Sequence, residues 1–395
     1  MSIAFCVMFR RFAYLLIFVT VCLGGCKEYS YSSLEEYVTN RTEEFDIEIS
    51  SDHFLDVMTM LNEYKLTALE TTRDCVIGEV NKILYANGCY CILDRRQQKQ
   101  IFVFDESGKF LRTIGRQGRG PGEYSEPSDF FVSDSMVVVY DMFMHKLNYY
   151  SLAGEFLRDQ ELSYKVYEVE KSPSDDGLYV VAGDNRNIED VKGFEILKLS
   201  DNNIAEDAFL RNDYTMNFSN GYDLHIFNGD IIYAKALRSG VFAFDNSVPY
   251  LRYKFNIKPA PLPNDFEKEC NGDFAKFRRR YANSYAYFNG QYWETNNYVG
   301  VGVNFQNVPY LAIYNKHSKR LDVGMVGIRY GLTDEDINGV LTSVLSGSSL
   351  SIQGDTIVGV ISPIKIPQNM RAEIFSTEDD FEFANPVIVR LKLGK

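Results

Sequence analysis

The sequence predicts an all-β fold, a six-bladed β-propeller of four-stranded antiparallel blades, and three observations lead there. One pattern of strands and turns is stated twice at a blade-length interval. Short apolar runs joined by tight turns fill most of the chain. The length left after a leader and one helical insertion divides into about six such intervals.

The repeat lies between Tyr90 and Leu157. Tyr90-Cys91-Ile92-Leu93-Asp94, then Ile101-Phe102-Val103-Phe104-Asp105 and Gly108-Lys109-Phe110-Leu111, are answered by Met136-Val137-Val138-Val139-Tyr140-Asp141, Leu147-Asn148-Tyr149-Tyr150 and Gly154-Glu155-Phe156-Leu157. Asp94 to Asp141 is 47 residues and Gly108 to Gly154 is 46, inside the roughly 40 to 50 residues of one propeller blade. From Thr72 to Lys395 there are 324 residues; setting aside 258–297 leaves 284, which is six blades at 47 each.

In chain order the leader comes first. Arg10 and Arg11 precede the apolar run Phe12 to Val21, which has the length of a signal-peptide core and is short for a membrane span. The run ends in Leu23-Gly24-Gly25-Cys26, a lipobox: small residues let the signal peptidase close on the chain, and the Cys26 thiol accepts the lipid. Residues 1–25 are expected to be a lipoprotein signal peptide, 26–65 a lead-in segment and 66–395 the propeller, with 258–297 inserted. The formal charge of −13 becomes −15 once the leader's two arginines are gone. So acidic a chain repels phosphate backbones; nucleic acid is excluded as a partner, and a lipid on Cys26 would hold the protein to the membrane. The expected location is the cell envelope, on the outer membrane, facing the periplasm or the outside.

Hairpin signals follow. Asn87-Gly88 is a type I′ turn that pairs Ala86 with Cys89 and Leu84 with Cys91. Asn228-Gly229 joins Leu224–Phe227 to Asp230–Tyr233, and Gly354-Asp355 joins Leu350–Ile352 to Thr356–Val360. Cys75, Cys89, Cys91 and Cys270 are too few to frame so long an exported chain, and buried thiols are expected. Helical spacing is confined to Leu34 to Val38, to Asp52 to Leu61, and to 264–285, where Phe266, Cys270, Phe274, Phe277 and Tyr281 recur every three or four residues.

Chemistry is harder to find. Gly115 to Gly122 lacks the Lys-Ser/Thr of a P-loop and does not open a helix, so its glycines read as a blade-to-blade crossover. Arg116 and Arg119 either line an anion site there or form a solvated rim with Glu123 and Glu126. His53, His145, His225 and His317 lie far apart and hold no metal-ligand spacing; neither metal nor cofactor is expected. No nucleophile elbow appears, and carboxylates are so abundant that no catalytic pair can be chosen. One cluster stands out: Tyr285, Tyr287, Tyr292 and the single tryptophan, Trp293, beside Arg279. These side chains either seal the insertion to its blade or form a platform that stacks on sugar rings, with arginine addressing hydroxyls or carboxylates.

The chain resembles the six-bladed, NHL-like β-propeller lipoproteins of Bacteroidota, a group mostly of unknown function. The resemblance rests on Thr67-Ala68-Leu69-Glu70-Thr71-Thr72 with Ile77-Gly78-Glu79-Val80, and on Ile114-Gly115-Arg116-Gln117-Gly118-Arg119-Gly120-Pro121-Gly122-Glu123-Tyr124. It extends to Trp293-Glu294-Thr295-Asn296-Asn297-Tyr298, to Asp336-Ile337-Asn338-Gly339, and to Asn385-Pro386-Val387. It implies the fold, the envelope and a place in polysaccharide use, and no catalytic set. Three roles compete: a non-catalytic binding or scaffold propeller for a glycan or envelope partner, a polysaccharide lyase or hydrolase working in the central pocket, and a structural part of a membrane complex. The absence of any catalytic motif favours the first.

Overall fold

In a computed structural model of the chain, the residues described are 33–50, 53–133, 135–183, 185, 187–212, 214, 216, 218, 221–326, 337–375, 381 and 383–394. The leader and Cys26 lie outside them. Six sheets form six blades in sequence. Blade 1 is Lys82–Ala86, Cys89–Asp94, Gln100–Asp105 and Phe110–Ile114; blade 2 is Pro127–Val132, Met136–Asp141, Lys146–Ser151 and Phe156–Glu161. Blade 3 is Val166–Lys171, Leu178–Ala182, Phe194–Leu199 and Ala205–Arg211. Blade 4 is Leu224–Phe227, Asp230–Tyr233, Gly240–Asp245 and Val248–Lys258, and blade 5 is Tyr287–Glu294, Tyr298–Phe305, Val308–Asn315 and Leu321–Met325. Blade 6 takes Ser351–Gln353, Thr356–Ile361 and Val387–Leu393 from the end of the chain and Leu61–Ala68 from its beginning. The first strands of blades 6, 1, 2, 3 and 4 touch in turn around the axis.

The predicted hairpin register is the one observed, Leu84 opposite Cys91 and Ala86 opposite Cys89; the Leu224–Tyr233 and Ser351–Ile361 hairpins form as well. The two statements of the repeat do the same work. Asp94 ends the second strand of blade 1, where one carboxylate oxygen accepts from the Gln97 and Gln98 amides and the other from Gly78 and Glu79. Asp141 does the same in blade 2, accepting from Phe143, Met144 and Ser125. Each aspartate therefore ties its own turn to the crossover arriving from the previous blade. Gly108 and Gly154 both take positive φ, 84° and 89°, in the turn before the outer strand, a conformation that costs glycine nothing.

The lead-in is structural. Glu43–Glu48 adds a parallel fifth strand to blade 4, Phe54 bridges to Met325 of blade 5, and Leu61–Ala68 completes blade 6. Of the two brief helical turns expected, Leu34–Tyr37 is a short 3-10 turn, while the segment after residue 52 is a bridge at Phe54 and a hydrogen-bonded turn at 58–60. The predicted helical insertion is two helices, Phe266–Cys270 and Phe274–Arg280, separated by Asn271 in the left-handed region. After them Tyr287–Glu294 enters blade 5 as its inner strand. The helices Ile337–Leu345 and Gln368–Ile374 have no counterpart in the sequence reading. In an antiparallel meander the start of strand one and the end of strand two share a face. The connection 259–286 starts and ends on that crossover face, and the short hairpins 87–88, 228–229 and 354–355 lie on the other.

Candidate functional site

Where six blades converge, the crossover face holds an axial pocket of about 450 Å³. Each contributing blade supplies a residue from the start of its inner strand or from its second turn. Asn81 and Arg95 come from blade 1, Ser128 from blade 2, Tyr167 and Glu168 from blade 3, and Asp223 and Lys235 from blade 4. Phe218, Tyr222 and Ser348 reach in from crossovers. Short inner strands put these side chains on the axis, because a strand points alternate residues into its neighbours and leaves its entering end over the centre.

Beneath the mouth lies a buried set of ionisable groups. Lys82 Nζ donates to Asp129 Oδ1 at 2.7 Å and stands 3.9 Å from Glu170. Asp129 also accepts from the Val169 amide at 2.8 Å. Lys235 pairs with Asp223 at 3.0 Å, and Glu168 Oε2 accepts from the Asp223 and Leu224 amides at 2.7 and 3.0 Å. Charges taken out of water must be paired or neutralised. Two lysines face four carboxyls here, so part of the set is neutralised by protons. Burial, reinforced by Asp223 and Asp129, pushes the Glu168 carboxyl well above its ordinary range. Burial also raises Glu170, to about 7, against the pull of Lys82. His225 has its Nε2 enclosed without a hydrogen-bond partner; burial and the nearby Lys82 charge lower it to about 4.

The site residues expected from the sequence fall elsewhere. Trp293 is 1% exposed and donates its indole N–H to the Leu345 carbonyl at 3.0 Å. Tyr287 packs edge-on against Phe277, its ring centroid 5.2 Å away. Tyr292 turns into another cluster and donates to Glu294, Tyr285 is half-buried against Tyr281, and Arg279 is exposed on its helix. The sugar-stacking platform proposed for these five is not formed, because the successive strand residues Tyr292 and Trp293 are drawn into separate apolar cores and Tyr287 into a third. The anion site expected of Arg116 and Arg119 is filled from within: Glu123 accepts from the Arg119 and Gly120 amides at 3.0 and 2.9 Å and pairs with Arg116 at 2.7 Å. Those amide bonds and Arg116 hold the Glu123 carboxyl below its usual range. Gly115, at φ 63°, has Tyr124 and Tyr150 within 2.6 Å of where a Cβ would stand, so the loop's glycines serve close packing. Cys75, Cys89, Cys91 and Cys270 are free thiols.

What sequence reasoning missed is the axial set. Lys82, Asp129, Glu168 and Asp223 stand at the entering ends of four different inner strands, tens of residues apart, with no local motif to join them. The one available signal was a charged residue inside an otherwise apolar strand, as at Lys82 and Asp129.

The family described as Domain of unknown function (DUF4934) matches residues 42–392. A solved structure of an exported protein from Bacteroides fragilis shares 18% identity, covers 89% of this chain and 100% of its own, and superposes with a TM-score of 0.72. A DUF4221 family member from Bacteroides vulgatus covers 85% and 97% at 9% identity and a TM-score of 0.49. A virginiamycin B lyase from Staphylococcus aureus covers 84% and 100% at 11% identity and 0.41. No curated protein matches the chain. Among the described residues, no helix is long and apolar enough to cross a membrane.

Proposed function

The chain belongs to the DUF4934 family, and on that premise we propose that it is a binding propeller of the cell envelope, lipid-anchored through Cys26, that holds a glycan in its axial pocket. The observation that carries this reading is the lining of that pocket. Tyr167, Phe218 and Tyr222 line it together with Asn81, Arg95, Ser128 and Ser348, which combines aromatic with hydrogen-bonding groups in a space of small-ligand size. Sugar rings present a surface to match each. Arg95 is already oriented by Glu126 at 3.0 Å, and the charges below are paired or protonated, so a neutral or mildly acidic ligand meets no unpaired charge at the floor.

The test is a thermal-shift screen of the mature protein against neutral oligosaccharides, uronates and peptides, since a ligand that binds only the folded state raises its melting temperature. Tyr167 is 38% exposed. Tyr167→Ala is expected to weaken glycan binding about tenfold, the worth of one aromatic face, with little change in melting temperature. A panel of glycans that leaves melting unmoved would overturn the reading.

One observation favours a second reading, a polysaccharide-acting enzyme. On the wall of the pocket, burial with the nearby Asp223 and Asp129 shifts the Glu168 carboxyl upward, the direction a general acid needs. On this reading Glu168→Gln abolishes turnover of the bound glycan while leaving its affinity in place; equal product formation by both proteins would dismiss it.

A further inference from the structure

A larger cleft, of about 660 Å³, opens on the hairpin face between blades 2 and 3, at the opposite end of the molecule from the axial pocket. Its floor is apolar: Phe131, Val138, Leu178 and Leu199 belong to the core shared by those blades. One wall is the Tyr149 ring, with the Arg158 guanidinium 3.6 Å from its centroid. Arg158 Nη1 donates to Gln160 Oε1 at 2.9 Å, and the Tyr149 hydroxyl donates to the same oxygen at 3.2 Å. Gln160 Nε2 in turn donates to the Asp201 carbonyl at 2.6 Å. The guanidinium is thus held in a fixed plane by groups that carry no charge.

Asp and Glu outnumber Lys and Arg 54 to 41 in the chain, and at several sites an arginine is matched by a carboxylate. Arg41, Arg95, Arg116 and Arg252 each meet a carboxylate at 2.7 to 3.0 Å, and Lys171, across the cleft, is paired with Asp176 at 2.9 Å. Among the described residues no carboxylate forms an ion pair with Arg158, although Asp201 stands at the rim. A planar fork with free donors, fixed before any ligand arrives, matches a carboxylate in two parallel hydrogen bonds. The apolar floor beside it rewards a ligand that brings hydrocarbon.

We propose that this cleft binds a small carboxylate with an apolar body, its carboxylate on Arg158 and its aliphatic or aryl part on the Phe131–Val138–Leu178–Leu199 floor. A purely polar anion would leave the floor wet, and a neutral ligand would leave Arg158 without a partner.

Titration calorimetry of the mature protein with 3-phenylpropionate and octanoate tests it, with 3-phenylpropanamide and acetate as the two half-ligands. The carboxylates with apolar bodies are expected to bind at least about tenfold more tightly than either half-ligand, as a charge-assisted bidentate contact requires. Arg158→Gln is expected to remove that advantage, and Tyr167→Ala, at the axial pocket, to leave it intact. Ser135→Trp, a change at the exposed rim, blocks the cleft without touching Arg158, so the site stays testable if Arg158→Gln loses its fold. Equal affinity for acid and amide, binding that survives both cleft variants, or no heat at millimolar ligand would each overturn the proposal.

Discussion

Trp293 shows how a residue's chemistry can be read correctly and its place missed. An indole next to tyrosines and arginines is what a sugar platform needs, and it is equally what a core needs. The structure decides by burial, with the ring enclosed and its one polar atom satisfied by Leu345. Trp293→Ala is therefore expected to cost about 3–5 kcal/mol, the range for an enclosed large aromatic, visible as a lower midpoint in denaturant unfolding. Unchanged stability would return Trp293 to the surface role. The same burial logic reaches Glu294 beside it. Burial alone would raise its pKa, but Arg252 at 2.7 Å and Lys316 outweigh that and hold the carboxyl low. A lone charge there would be prohibitive; an ion cluster is tolerated.

Among the elements, those legible in advance were the ones whose signal is local. Asn-Gly turns name their own hairpins, and the Asp94 and Asp141 repeat marks a turn that binds itself. The helix Ile337–Leu345 was not legible, because Thr342, Ser343 and two β-branched valines dilute its helical signal and tertiary packing supplies the rest. Ring closure was not legible either, since a first strand and a last strand carry no sign of each other. Asn385 is where closure is fastened. Its side chain accepts from the Ile77 amide at 2.8 Å and donates to the Glu70 and Cys75 carbonyls at 2.7 and 2.6 Å, so one buried amide joins the last strand to the crossover before blade 1. Asn385→Ala leaves the buried Ile77 amide and Cys75 carbonyl without that partner, while the Glu70 carbonyl keeps the Cys75 thiol. At about 1 kcal/mol or more for each buried group, a loss of roughly 2 kcal/mol is expected. Faster amide hydrogen exchange should appear in Leu61–Ala68 and Val387–Leu393 before the other blades; uniform exchange would mean that closure is held elsewhere.

For the whole molecule, the axial ions make stability a function of pH with two opposed contributions, and their signs can be worked out. Glu170 titrates near 7 when folded and near 4.5 when unfolded. The folded state therefore holds a proton that the unfolded state has lost, and the stability this gives is present below pH 4.5 and gone above 7. His225 titrates near 4 when folded and near 6.5 when unfolded. Its contribution is present above pH 6.5 and lost as the pH falls toward 4. Each shift corresponds to ~3 kcal/mol at most, so between pH 5 and 6.5 the two largely cancel. Glu168, also raised by burial, adds a decline with rising pH. Differences from the parent protein isolate each group from that background. The melting temperature of Glu170→Gln, relative to the parent, is expected to climb from pH 5 to 7, because the glutamine never ionises. That of His225→Gln is expected to fall over the same range, because the parent's gain above pH 5 is lost. Opposite slopes are the signature of two buried groups on one axis, one reluctant to lose a proton and the other reluctant to take one. Parallel curves would show that the axis is open enough to water for both groups to titrate as they do in the unfolded chain.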